Sequence, residues 1–223
     1  MIEFRDVAYG YGDGDLLANI DVTLAPGGFY FLTGPSGAGK TTFLKLCYRD
    51  LAPTAGQISI LGQDGAGLTR EDVAQLRRRI GVVHQDCQFL DHLSVGENVV
   101  LPLAVSGRPR VNEDLHDLLH WVGLSAQIDA LPPELSGGER QRAALARAVI
   151  MSPDVVIADE PTGNVDWEMS LRLLNLLVEL NKMGKTIVIA THDLNLIRTA
   201  KSHVSARVLR IANRTLVQAG SEL

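Results

Sequence analysis

The sequence predicts an α/β protein with a mostly parallel β-sheet and a helical subdomain inserted between two of its strands. Strand-like runs alternate with helical stretches along the 223 residues, as is typical of parallel sheets. Two of these runs, Val155–Ala158 and Ile187–Ala190, are apolar at every position. Strands that are covered on both faces have this composition, because neither side of such a sheet meets water.

Seven strands follow from these runs. In chain order they are Ile2–Val7, Phe29–Thr33, Gln57–Leu61, Ile80–Val83, Val155–Ala158, Thr186–Ala190 and Ala206–Ile211. The stretch from about residue 86 to residue 135 differs, because prolines punctuate it and helical patterns replace strand patterns. We interpret this stretch as a helical subdomain within a single domain that spans residues 1–223.

Two helices show clear amphipathic spacing. Residues 111–122 carry apolar side chains at i, i+4, i+7, i+8 and i+11, and residues 168–182 carry a second such stripe. The predicted buried positions are Val111, Leu115, Leu118, Leu119 and Val122 in the first helix, and Leu171, Leu174, Leu177 and Val178 in the second.

Composition narrows the function classes. The chain has 21 basic and 26 acidic residues, so its net charge of −5 disfavours a nucleic-acid partner. Charged residues follow Met1 too soon for a secretory signal, and no uncharged apolar run reaches the roughly 18 residues of a spanning helix. Cys47 and Cys87 lack metal-site spacing and read as small buried side chains. We therefore expect a cytosolic chain that contacts a membrane only through a partner.

The segment after Phe29–Thr33 matches the phosphate-loop pattern G-x-x-x-x-G-K-[ST] between a strand and a helix. Glycines let backbone N–H groups turn toward a phosphate, and the helix N-terminus adds a positive dipole. Lys40 is expected to reach the β- and γ-phosphates, and the hydroxyl of Thr41 to hold Mg²⁺. The predicted nucleotide-binding residues of this loop are Gly34, Pro35, Ser36, Gly37, Ala38, Gly39, Lys40, Thr41 and Thr42.

Two carboxylates, Asp159 and Glu160, end the apolar run Val155–Ala158. An aspartate at a strand end beside a phosphate loop is suited to bind Mg²⁺, and a second carboxylate can deprotonate an attacking water. The alternative is an ordinary polar strand end before Pro161. With a phosphate loop in the same chain, the sequence favours the catalytic interpretation, in which ATP is the substrate and Mg²⁺ the metal.

The segment Leu135-Ser136-Gly137-Gly138-Glu139 precedes the acidic strand, and its Ser136 and Glu139 have capping-box spacing for a helix start. With this segment, the whole chain resembles the ABC ATPase family, whose signature is LSGGE. The resemblance implies a P-loop ABC ATPase core, in which an antiparallel β part accompanies the mostly parallel sheet. It also implies that Ser136, Gly137, Gly138 and Glu139 face the nucleotide of a second subunit, so a homodimer is expected.

The resemblance assigns further residues by position. Gln85 corresponds to the glutamine that senses Mg²⁺ and the attacking water, and His192 to the histidine that contacts the γ-phosphate. Asn164 and Asp166 lie in the loop that crosses to the second subunit. Tyr11 corresponds to the aromatic side chain that stacks on adenine, with Tyr9 as a rival.

Within the family, the stretch Ala158–Asn164 and the residues around His192 resemble the bacterial cell-division branch, the FtsE proteins. That branch implies an integral membrane partner of the FtsX type, a position at the cytoplasmic face of the inner membrane, and control of cell-wall hydrolases. Lipoprotein-releasing and macrolide-export cassettes share the stretch ADEPTGN and are the alternative. Docking on the partner is expected through the helical subdomain, at Phe89 and Leu90, while Val99–Leu101 are expected to form its core.

Overall fold

A computed structural model describes residues 1–12, 14–109, 112–163 and 165–218. The strands are β1 (Ile2–Tyr9), β2 (Leu17–Leu24), β3 (Phe29–Thr33), β4 (Ala55–Ile60), β5 (Gln63–Asp64), β6 (Ile80–Val83), β7 (Val155–Asp159), β8 (Thr186–Ala190), β9 (Ala206–Ala212) and β10 (Thr215–Gln218). The α-helices are α1 (Lys40–Cys47), α2 (Arg70–Arg78), α3 (Val95–Val105), α4 (Asn112–Trp121), α5 (Gly137–Val149), α6 (Trp167–Lys182) and α7 (Leu194–Lys201).

These strands form two sheets. The larger has the order β10-β9-β3-β8-β7-β6, and its strands are parallel except for β10, which pairs antiparallel with β9. The smaller is an antiparallel sheet in the order β2-β1-β4-β5. The predicted architecture of a mostly parallel sheet with an antiparallel part is therefore confirmed.

Three adjacent strands of the larger sheet, β3, β8 and β7, are buried at every position. Their carboxyl ends lie side by side at one edge of the sheet, because parallel strands in register end together. The phosphate loop follows β3, the two carboxylates follow or end β7, and His192 follows β8. The order of strands thus brings three separate chain segments to one edge.

The core divides into two apolar clusters on the two faces of the larger sheet. One joins the sheet to α3, α4, α5 and α6, and the other joins it to α1 and the antiparallel sheet. Val99 and Val100 are 0% and 2% exposed in the first cluster, as predicted, whereas Leu101 is only half-buried. No helix in the described ranges combines the length and apolarity needed to span a membrane.

The two predicted amphipathic helices bury most of the expected positions. In α6 the buried positions include Leu173 and Leu176 as well as the predicted Leu174, Leu177 and Val178, whereas Leu171 is only half-buried, so the expected stripe was too narrow. In the first predicted helix Leu115, Leu119 and Val122 are buried and Leu118 is partly so. Val111 lies outside the described residues.

Candidate nucleotide site

The phosphate loop joins β3 to α1 and needs its glycines. Gly34, Gly37 and Gly39 have φ values of 150°, 75° and 101°, which other residues rarely adopt. A Cβ added at Gly34 would lie 2.8 Å from the carbonyl oxygen of Ile211 on β9. Gly39 is the N-cap of α1 and provides no side-chain cap, so the first N–H groups of the helix are available to an anion.

Lys40 lies over the loop that precedes it. Its Nζ donates hydrogen bonds to the carbonyl oxygens of Gly34 and Pro35 at 2.9 and 3.1 Å. The ammonium group is therefore held at the mouth of the loop by two weakly basic acceptors. Phosphate oxygens are stronger acceptors for the same donor, because they carry formal charge.

Thr41 and Asp159 connect α1 to the end of β7. The Thr41 hydroxyl donates to Oδ2 of Asp159 at 2.6 Å. The pKa of Asp159 is raised, mainly because the side chain is buried and further because of the nearby charge of Glu160. The hydrogen bond from Thr41 acts in the opposite direction and lowers this pKa. The two side chains offer hard oxygen ligands at one point, which is the donor chemistry that Mg²⁺ prefers.

A metal ion at this point would depend on the nucleotide. Among the described residues, no group of three or more His, Cys, Asp or Glu side chains is arranged to hold a metal. Mg²⁺ is commonly held by one or two protein oxygens together with substrate phosphates and water. Thr41 and Asp159 fit that pattern.

Glu160 follows directly after β7 and has an unusual backbone conformation, with φ of 49°. Its Oε1 lies 2.8 Å from Nδ1 of His192, and its Oε2 accepts a hydrogen bond from the Thr191 hydroxyl at 3.2 Å. The side chain of Glu160 is 17% exposed, while that of His192 is 79% exposed. The carboxylate is therefore fixed by its neighbours, and the imidazole projects outward.

One cavity of about 530 Å³ gathers most of the predicted site residues from four chain segments. Apart from Leu16, every lining residue belongs to the set that the sequence predicts. The lining consists of Leu16, Gly34, Ser36, Gly37, Gly39, Lys40, Thr41, Thr42, Gln85, Asp159, Glu160 and His192. Pro35 and Ala38 belong to the loop without lining this cavity.

Gln85 stands between two cavities. It lines the one above and also a neighbouring cavity of about 390 Å³ that extends past Tyr48 and His84. The rings of Tyr48 and His84 meet edge to face with centroids 5.9 Å apart. Burial lowers the pKa of His84, and the nearby charge of Arg147 lowers it further.

The two candidate adenine-stacking tyrosines touch each other beside the loop. Tyr9 and Tyr11 meet edge to face with centroids 5.0 Å apart. Tyr11 is 67% exposed and its hydroxyl lies 3.3 Å from that of Thr42, whereas Tyr9 packs partly against the core. Tyr11 is therefore the more accessible of the two rings.

The signature segment starts α5 with the predicted capping box. The N–H of Ser136 donates to Oε2 of Glu139 at 2.8 Å, and the N–H of Glu139 donates to Oγ of Ser136 at 3.3 Å. Hydrogen bonds from the Ser136 hydroxyl and backbone lower the pKa of Glu139. The capped start is therefore confirmed.

The signature and the loop at Asp166 lie apart from the phosphate cavity within one chain. Within the described ranges, neither Ser136–Glu139 nor Asp166 lines that cavity. Asp166 instead caps α6 by accepting a hydrogen bond from the N–H of Met169 at 2.8 Å. Asn164 lies outside the described residues.

The sequence model of the ABC transporter family matches residues 17–163 of this chain. The chain belongs to the ABC transporter family of ATPases. This ABC ATPase is 44% identical over 209 residues to the cell division ATP-binding protein FtsE of Bacillus subtilis, covering 92% of each chain. It is 41% identical over 216 residues to FtsE of Escherichia coli K12, covering 96% of each.

Solved structures agree with the fold of the ABC ATPase. The cassette MJ0796, in a dimeric post-hydrolysis state bound to ADP and Pi, superposes with a TM-score of 0.89 at 29% identity and covers 98% of each chain. A second dimeric structure of MJ0796, described as a bacterial ABC transporter cassette, gives a TM-score of 0.86 at 31% identity and covers 97% of this chain and 96% of that one. Family and fold together make this chain an ATP-hydrolysing cassette.

Three side chains of the site were missed by sequence reasoning. Leu16 lines the cavity. The hydroxyl of Thr191 donates a hydrogen bond to the carboxylate of Glu160, and the side-chain amide of Gln141 in α5 donates one to the backbone carbonyl of Glu160. Thr191 directly follows the apolar run Ile187–Ala190, and Gln141 follows the signature by two positions, so both had a positional signal. Leu16 had none, because its role depends on how the preceding loop returns to the sheet.

Proposed function

We propose that this chain is the ATPase subunit of a homodimeric ABC complex that acts on an integral membrane partner of the FtsX type in bacterial cell division. In this role it couples ATP hydrolysis to the regulation of cell-wall hydrolases. The observation that carries the proposal is the convergence of four separate motifs on one cavity. Identities of 44% and 41% to FtsE proteins over nearly the whole chain support the cell-division role.

ATP binding would use the loop and the neighbouring tyrosine. The adenine ring stacks on Tyr11, and the phosphates lie against the N–H groups of residues 34–42. Lys40 exchanges its two loop carbonyls for oxygens of the β- and γ-phosphates. Thr41 and Asp159 would hold Mg²⁺, which would neutralise phosphate charge at this point.

Hydrolysis would depend on Glu160 as general base. Its carboxylate takes a proton from the attacking water, and its bonds to His192 and Thr191 fix the direction in which the oxygens point. The imidazole of His192 is largely exposed beyond its contact with Glu160, so its other ring nitrogen can contact the γ-phosphate while Nδ1 stays on the carboxylate. Gln85, which lines the same cavity, orients the water.

A complete site would require two chains. The capped N-terminus of α5 presents Ser136, Gly137 and Gly138 as an anion site away from the chain's own phosphate loop. In a homodimer this end faces the γ-phosphate held by the partner, and Asn164 and Asp166 cross the interface. The dimeric structures of MJ0796 support this assembly.

The segment after Gln85 would contact the membrane partner. Leu90 is 41% exposed, so a cytosolic helix of the partner can bury it. Phe89 is partly buried, and the guanidinium of Arg147 lies 4.6 Å from its ring centroid. Substituting Phe89 would disturb α5 as well as the surface, so Leu90 gives the cleaner test. The chain then resides at the cytoplasmic face of the inner membrane through its partner.

The experiment pairs Leu90→Asp with Met183→Asp, a change at a residue that is 71% exposed at the far end of α6. Each variant and the parent are co-expressed with the membrane protein encoded beside this chain, then recovered from solubilised membranes. ATP affinity and phosphate release are measured on the same preparations. We expect Leu90→Asp to lose the partner while retaining ATP binding, and Met183→Asp to behave like the parent. Full recovery with Leu90→Asp would contradict the docking surface, and a parent that never copurifies with that protein would contradict the membrane role.

A further inference from the structure

Gln141 is a buried amide in the middle of α5 that contacts the backbone of Glu160. It is 2% exposed, and its Nε2 donates a hydrogen bond to the carbonyl oxygen of Glu160. A backbone carbonyl can only accept, so the nitrogen of the amide must face it. The contact joins two residues that are 19 positions apart in the chain.

The peptide that Gln141 contacts is held in a conformation that local preferences oppose. Glu160 has φ of 49°, in the left-handed region that residues with a Cβ usually avoid. Such a backbone persists only where its surroundings determine it. Here the N–H of Glu160 donates to Ala190 at 2.9 Å, and its carbonyl accepts from both Gln141 and the N–H of Gly163.

Packing alone does not account for an amide at this position. Oε1 of Gln141 is buried and has no hydrogen-bond partner among the described residues. A buried acceptor without a partner is destabilising, so an apolar side chain of the same length would suit the core better. The contact with Glu160 supplies the reason for the amide.

The same helix contacts other parts of the proposed machinery. Its N-cap is Ser136 of the signature, and near its C-terminus Arg147 donates to the carbonyl of Gln88, three residues after Gln85. Gln141 lies between these two contacts. A displacement of α5 therefore acts directly on the Glu160 peptide.

We propose that Gln141 is a positioning residue that fixes the Glu160 peptide and links the catalytic carboxylate to the signature helix of the same chain. This inference rests on the proposed roles of Glu160 and Ser136. Docking of the signature on the partner's nucleotide would then adjust the carboxylate in the chain's own site. The two sites of the dimer would communicate through α5.

The first test replaces Gln141 by methionine, which keeps the length and removes the donor. We expect kcat for ATP to fall ~10- to 100-fold, because small displacements of a reacting group have effects of that size. KM and ATP affinity should stay within about twofold of the parent, since Gln141 bonds to the Glu160 carbonyl and, among the described residues, is not part of the cavity lining. The control is Val149→Ala, which truncates a buried side chain at the far end of α5 and leaves Glu160 untouched.

A double-mutant cycle separates positioning from general loosening of the structure. Gln141→Met is combined with Glu160→Gln, and single-turnover ATP cleavage is followed for hours. If Gln141 acts through the carboxylate, it should lower the parental rate but not the residual rate of Glu160→Gln. A purely structural role would lower both rates by the same factor, which would overturn the proposal.

A second variant, Gln141→Glu, and the turnover of the parent complete the test of the role of Gln141. If Gln141→Met does not fold, Gln141→Glu replaces it, and its kcat relative to the parent should recover as the pH falls, because a protonated carboxyl again donates to the carbonyl. A pH-independent ratio would count against positioning. A parent that releases no phosphate would overturn the proposed function, whereas parental turnover with an unaffected Gln141→Met variant would overturn only this inference.

Discussion

Lys40→Ala tests how the phosphate loop binds ATP. In the structure, the Lys40 ammonium is already partnered by the carbonyls of Gly34 and Pro35. ATP binding therefore exchanges two existing hydrogen bonds for two stronger ones to phosphate. Removing the lysine should therefore weaken ATP binding by the difference in free energy between the two bonds to phosphate and the two bonds to the loop carbonyls.

The expected magnitude follows from that exchange. Hydrogen bonds to charged groups contribute about 1.5–3 kcal/mol each, so two bonds to phosphate amount to about 3–6 kcal/mol. The bonds to phosphate join two charged groups and lie at the upper end of that range, whereas the two loop bonds have one charged partner and amount to about 3 kcal/mol together, so the net loss is about 3 kcal/mol. This value corresponds to a ~100-fold increase in Kd for ATP. Folding should be little affected, because the released carbonyls can bind water.

The assay measures ATP affinity by titration and thermal unfolding on the same samples. Lys45→Ala is the matched control, because it removes an equal charge from α1 at a residue that pairs with Asp50 and does not line the phosphate cavity. We expect Lys45→Ala to bind ATP like the parent. A folded Lys40→Ala protein with parental affinity would refute the assignment of the phosphate loop.

Three further changes probe hydrolysis, dimer closure and the metal site. Glu160→Gln should lower kcat ~10²- to 10⁴-fold while ATP still binds, and its ATP-bound dimer should persist in size-exclusion chromatography with Mg-ATP. Turnover equal to the parent would exclude Glu160 as base. Ser136→Arg should weaken that dimer by placing bulk at the docking point of the γ-phosphate, and an unchanged elution profile would contradict this. Burial raises the pKa of Asp159, so its ionised form opposes folding above that pKa. Asp159→Asn should therefore raise Tm at neutral pH and abolish Mg²⁺-dependent turnover. The gain in Tm should shrink as the pH falls through the pKa of Asp159. A gain that does not change with pH would contradict the inference that ionised Asp159 destabilises the fold.

The strands β3, β7 and β8 were predictable because they are buried at every position. β3, β6 and β8 have the predicted limits, and the predictions for β1, β4, β7 and β9 differ by only one or two residues at their ends. A short run of apolar residues between turn signals is typical of a strand that is buried on both faces. The phosphate loop and the acidic strand end could then be located from those strands alone.

β2 was missed for a physical reason. Its buried residues are Leu17, Ile20 and Leu24, a spacing of three and four that is typical of a helix. The cause is an irregular strand, because Asn19 has φ of 51° and the pairing with β1 shifts register twice. β10 was missed because none of its side chains is fully buried.

The contact between Gln141 and Glu160 could not be found from sequence either. It depends on the distance between a helix and a strand end that are adjacent only after the inserted helices fold. The capping box of Ser136 and Glu139 was predictable, since both partners lie within one helical turn. Contacts within one helical turn could thus be predicted from the sequence, whereas contacts between distant elements could not.

The position of β3 at the centre of the larger sheet has a consequence for synthesis of the chain. β3 pairs with β8 and β9, and Gly34 lies against the carbonyl of Ile211, so the phosphate loop is supported by residues that are translated some 150 or more positions later. A nascent chain that ends before β8 has the complete phosphate-loop motif but lacks both neighbours of the strand that carries it. On the ribosome, ATP binding should therefore begin only after β9 has emerged, and the apolar β3 remains a substrate for chaperones until then.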